Sequence, residues 1–71
     1  MGLYGPLLAT LEAERQVLVY KLEDLGKTLY DAQLDSGDPE LVQLLRTQKG
    51  IMINYVDVLE ERIARLKETH G

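Results

Sequence analysis

Gly50-Ile51-Met52-Ile53-Asn54-Tyr55-Val56-Asp57-Val58-Leu59 is the stretch that decides the fold. Wound as a helix it is apolar on almost every side. At about 3.6 residues per turn, Gly50, Asn54 and Asp57 fall on one narrow line that Thr47 and Glu61 extend. The residues between them, Ile51, Met52, Ile53, Tyr55, Val56, Val58 and Leu59, must then meet protein in several directions, which is more cover than one neighbouring helix supplies. These seven form the predicted oligomer interface. The predicted architecture is all-α: an antiparallel two-helix hairpin that completes its core with other chains in a four-helix or larger bundle, a homodimer being the favoured assembly.

Size supports the same expectation. A chain of 71 residues is one domain with a marginal core unless something staples it. It has no cysteine, and its single histidine, His70, stands next to the last residue, so neither a disulfide nor a zinc site is available and association is left as the staple. Twelve acidic against eight basic side chains, a net charge of -4, disfavour general nucleic-acid binding, which needs a cationic face. The opening Met1-Gly2-Leu3-Tyr4-Gly5-Pro6-Leu7-Leu8 has neither a cationic leader with a long apolar run nor the Ser/Thr of a myristoylation signal at its sixth residue. With Asn54 and Asp57 interrupting the longest apolar run, no bilayer span is expected and a cytoplasmic location is.

Taken in order, residues 1 to 5 read as an irregular lead-in, with Gly5 as the cap and Pro6 at the first helical position, where its missing N–H costs nothing. Leu8, Leu11, Arg15, Leu18, Leu22, Leu25, Leu29 and Ala32 then alternate steps of three and four, the spacing of a helix-helix seam. Leu7, Val17, Val19, Tyr20, Tyr30 and Leu34 widen the apolar face beyond a two-stranded seam. Helix 1 is predicted over 6–36, a turn over 36–38 and helix 2 over 39–68. In the turn, Gly37 closes the first helix in a left-handed conformation, and Asp38 caps the second with Pro39 at its first position. The predicted stripe of helix 2 is Leu41, Leu45, Gln48, Met52, Val56, Leu59, Ile63 and Leu66, whose consecutive steps of four between Gln48 and Val56 predict straight helices. The last residues, Thr69 to Gly71, are expected to fray.

A turn at Gly37 sets Arg15 near Leu59, Glu60 and Ile63, with its stem on the seam and its guanidinium toward Glu60. It also sets Gly26 and Gly50 at one level, which reads as close helix approach or slack in the packing, or else as room for a ligand. Around that level lie Lys21, Lys27, Arg46 and Lys49, half of the basic side chains, with Tyr20, Tyr30, Gln48 and Asn54. Rings with cations suit a planar anion such as a nucleotide signal, so Tyr20, Lys21, Lys27, Tyr30, Arg46, Gln48 and Lys49 are the candidate ligand-binding residues. The alternative for these residues is a solvated charged face. No phosphate loop and no Cys/His or Ser/His pair is present, so no catalytic residue is assigned and no cofactor is expected. The acids of the turn lack the pattern of a calcium loop and read as helix caps, so no metal site is assigned.

Leu11-Glu12-Ala13-Glu14-Arg15 and Asp38-Pro39-Glu40-Leu41-Val42, with Gln48 and Tyr55, resemble the small helical-hairpin aspartyl-phosphate phosphatases of sporulation response regulators. The resemblance implies a hairpin that docks on a receiver domain and promotes loss of its phosphoryl group. That family's Ser-Gln-Glu-Leu-Asp signature is matched here by Thr47-Gln48-Lys49-Gly50-Ile51, which keeps the glutamine and lacks the acids.

Three functional expectations follow. The first is a non-enzymatic, self-associating hairpin that binds or inhibits a protein partner through its surplus apolar surface. A second is an oligomeric sponge for an anionic nucleotide-type signal, of a kind that would suit a virus or mobile element countering nucleotide signalling. The phosphatase implied by the resemblance is the third.

Overall fold

The computed structural model describes residues 4–35 and 37–70. The lead-in at residues 1–3, Ser36 at the turn and Gly71 lie outside the described residues. Two helices of 32 residues each, α1 (Tyr4–Asp35) and α2 (Pro39–His70), lie side by side as an antiparallel hairpin 54 Å long and 15 by 12 Å across.

Helix α1 starts two residues earlier than predicted, so Pro6 stands within its first turn instead of at its first position. The change is free, because the first four N–H groups of a helix have no acceptor within it. Thr10 donates its hydroxyl back to the Pro6 carbonyl at 2.9 Å. At the other end Asp38 caps α2 as predicted. Its Oδ1 accepts from the N–H groups of Glu40 at 3.1 Å and Leu41 at 3.2 Å, and its carbonyl takes the first helical bond, from Val42, at 3.3 Å. Gly37 departs from expectation: no described glycine has a positive φ, so the chain leaves α1 without a left-handed residue there.

The seam of α1 matches its predicted stripe. Leu11, Leu25 and Leu29 are buried, and Leu8, Arg15, Leu18, Leu22 and Ala32 are half-buried. On α2 the seam corrects the prediction. Val42 and Lys49 are half-buried where Leu41 and Gln48 were expected, and both of the latter are exposed. The covered residues are then Val42, Leu45, Lys49, Met52, Val56, Leu59, Ile63 and Leu66, an unbroken alternation of three and four. The relaxation toward straight helices predicted between Gln48 and Val56 therefore loses its basis, because the heptad never lapses.

Packing is strongest at the end away from the turn, where Leu11, Leu59 and Ile63 form the core with Leu8, Leu18 and Leu66 against it. Leu59 is the one fully buried side chain among the described residues, at 0% exposure. Three polar pairs on the same half fix the register. Arg15 Nε donates to Glu60 Oε2 at 3.1 Å, Lys67 Nζ lies 3.4 Å from Glu12 Oε2, and the Tyr55 hydroxyl donates to Glu14 Oε2. The Arg15 to Glu60 pair is the one the turn position predicted.

Candidate functional site

The hairpin leaves α2 with two apolar sides of which α1 covers one. From the predicted interface, Val56 and Leu59 are buried against α1 and Met52 is half-buried, while Ile51, Ile53, Tyr55 and Val58 stay exposed. Leu41 and Leu44 extend that open surface toward the turn. The spacing explains the division: Met52, Val56 and Leu59 belong to the seam heptad, whereas Ile51, Tyr55 and Val58 form a second row displaced around the helix.

The candidate ligand residues do not gather at one place within a single chain. Lys21 lies seven residues beyond Glu14, and Gln48 seven before Tyr55, so both stand on the edge of the hairpin where Glu14 meets Tyr55. Arg46 belongs to the opposite edge, in a shallow groove near the turn lined by Gln33, Pro39, Val42 and Gln43. Lys27 and Tyr30 flank Gly26 in a separate shallow groove on α1, with Glu23 and Asp31. Tyr20 is exposed seven residues before Lys27, on the outer face of α1. Lys49 occupies the seam and is half-buried, which a lysine tolerates because its long aliphatic stem can lie on apolar surface with the charge kept in water.

These cations differ from two at the core end. Arg15 and Lys67 are paired with carboxylates, whereas Lys21, Lys27, Arg46 and Lys49 have no carboxylate in salt-bridge reach among the described residues. Of the readings offered for Gly26 and Gly50, close helix approach is the one the structure removes. Among the described residues, a methyl group built on either would meet no atom within 4 Å beyond its own stretch of helix, so neither glycine marks a close approach of the two helices.

Sequence reasoning did not single out the bond from Tyr55 to Glu14, which raises the phenol above its ordinary pKa through that hydrogen bond, with partial desolvation and the carboxylate's charge adding to it. It also missed an apolar groove at the core end, floored by Leu7, Val58 and Leu66 and rimmed by Glu61, Arg62 and Arg65. The signal for the groove was present, since Val58, Arg62 and Arg65 continue the row of Ile51 and Tyr55. Among the described residues no three His, Cys, Asp or Glu side chains are placed to hold a metal ion, and no helix is long and apolar enough to cross a membrane.

Fold and surface together define a small all-α hairpin protein whose second helix keeps an open apolar row and whose middle carries cations with no carboxylate in salt-bridge reach among the described residues. The family model named Sequestin matches residues 6–65, most of both helices, and the chain belongs to the Sequestin family. This overturns the resemblance to the aspartyl-phosphate phosphatases. The residues that carried it have structural work in this hairpin: Leu11 is core, Arg15 pairs with Glu60, and Asp38 caps α2. No curated protein and no solved structure matches the chain.

Proposed function

We propose that this protein sequesters a small anionic ligand of nucleotide type, holding it between copies of the chain. The family name speaks of sequestration, which favours the sponge over an inhibitor of a protein partner. The observation that carries the ligand class is the set of four cations, Lys21, Lys27, Arg46 and Lys49, with no carboxylate in salt-bridge reach among the described residues, whereas Arg15 and Lys67 toward the core end each have one. Ammonium and guanidinium groups on a chain that also exposes Tyr20 and Tyr30, with Lys27 and Tyr30 in one groove, suit a phosphate-bearing, planar ligand through charge and stacking. Because these side chains point from different faces of one hairpin, a closed site needs a second chain to bring them together.

Sequestration is stoichiometric binding without turnover. Calorimetry against cyclic and linear nucleotides should give saturable heat for at least one of them, with the ligand recovered unchanged on denaturation. The same ligand should raise the melting temperature, since at about 100 times Kd a ligand specific to the folded state adds roughly 2.7 kcal/mol. Lys27→Glu and Lys49→Glu should each weaken binding. A panel that gives neither heat nor a thermal shift rejects this reading.

A further inference from the structure

We infer that the open row of α2 is a self-pairing surface, on which a second copy docks its own α2 antiparallel with the two-fold axis between Lys49 and Gly50. The row is Leu41, Leu44, Gln48, Ile51, Tyr55 and Val58, again spaced by alternating threes and fours. Leu44 and Ile51 are 68% and 64% exposed, and Leu41, Tyr55 and Val58 between 42% and 51%. A helix thus carries two seams, and α1 fills one.

The neighbouring row of α1 on the same face, Thr10, Glu14, Val17, Lys21, Asp24 and Thr28, is mostly polar. An occupant must therefore sit on α2 itself and not straddle both helices. Register decides which occupant fits. In an antiparallel pair the rows mesh in only a few alignments, one heptad apart in the levels they match. Centring between Lys49 and Gly50 sets Leu41 against Val58, Leu44 against Tyr55 and Gln48 against Ile51, each twice by symmetry. Moving the centre to Ile53 sets Leu41 and Leu44 against Arg65 and Arg62, which buries four guanidinium groups on leucines. Moving it toward the turn, to the level of Arg46, leaves Tyr55 and Val58 beyond the start of the other α2.

Only the first alignment covers every apolar member of the row. It also carries Leu41 of one copy to the level of the groove floored by Leu7, Val58 and Leu66 in the other. Beyond the row's end, Arg62 and Arg65 reach the level of the other copy's turn, where Asp35 and Asp38 supply negative charge. The uncovered apolar area of the row is on the order of 450 Å² per chain, the size of a functional surface patch. Two copies then bury on the order of 1,000 Å², near the lower bound of a specific interface, so a dimer of moderate affinity is expected. This self-pairing belongs to the ligand-free chain and does not depend on sequestration.

Sedimentation equilibrium of the ligand-free chain at about 50 µM should give about twice the 8.0 kDa chain mass. Ile51→Glu should give the single-chain mass with helical circular dichroism retained, while Val17→Glu, on α1, leaves the mass doubled. A native chain that sediments at the single mass at this concentration overturns the proposal. The geometry is read separately by spin labels, cleanly placed because the chain has no cysteine. Labels on Gly50→Cys should lie within about 20 Å of each other, and labels on Ala64→Cys about 40 Å apart along the axis at 1.5 Å rise per residue. Short distances at both positions would mean a parallel pair and refute the alignment.

Discussion

Leu59→Ala tests whether the hairpin's stability rests on the core end. Leu59 has no exposed surface and packs with Leu11 and Ile63, so truncation removes its transfer free energy and leaves a cavity. Buried leucines cost about 2 to 5 kcal/mol on truncation, and a core only two helices thick can close partly from its edges, which sets the expected loss at about 3 kcal/mol. For a chain of this length the whole stability is roughly 4 to 10 kcal/mol, so one side chain accounts for a large share of it. At about 4 to 8 °C per kcal/mol for a domain of this size, the melting temperature should fall by about 12 to 24 °C. The assay is thermal and urea unfolding by circular dichroism, with all variants at one chain concentration because association raises apparent stability. Val17→Ala is the comparison: Val17 is 51% exposed on α1, and its truncation should stay within about 0.5 kcal/mol of the native chain. A loss below about 1 kcal/mol for Leu59→Ala, or equal losses for the two variants, would refute the placement of the core.

Removing the α2 cap with Asp38→Ala should cost about 1 kcal/mol in urea unfolding, while Asp38→Asn, which keeps an acceptor for the Glu40 and Leu41 amides, should retain most of it. Gly26→Ala and Gly50→Ala should each stabilise the ligand-free chain by up to about 1 kcal/mol, since alanine is the better helix former and none of the described residues opposes a methyl group. A destabilising result at either glycine would show that something outside the chain approaches it closely. In ultraviolet titration Tyr55 should ionise above the free value near 10, and Tyr55→Phe should delete that late component. Because the folded-state value is the higher one, the bond to Glu14 contributes fully below pH 10, and its contribution is lost as pH rises through the folded-state pKa.

Which stripe of α2 faces α1 was not legible from α2 alone. Leu41 and Gln48 begin one row and Val42 and Lys49 another, and a lysine argues locally against the row that is in fact covered. The strict heptad of α1 settles it, because an antiparallel partner must match that spacing along its whole length, and a long lysine stem can lie on a seam with its charge in water. The candidate ligand residues failed to converge for a related reason. Sequence placed them at one height along the hairpin, but height says nothing of direction, and Arg46, Lys27 and Lys21 leave from different sides.

Local chemistry therefore fixed what is local. The Asp38 cap with Pro39 after it, the heptad of α1, the length of each arm and the surplus of apolar residues on α2 could all be read from the residues, because capping, periodicity and composition act within a few turns of helix. Tertiary structure alone decided which apolar row of α2 was spent inside the chain and which was left open, that the core concentrates on Leu11, Leu59 and Ile63, and that Lys21, Lys27, Arg46 and Lys49 have no carboxylate in salt-bridge reach among the described residues. Those outcomes depend on how one helix is rotated against the other, a rotation set by the fit of two surfaces that no single helix contains.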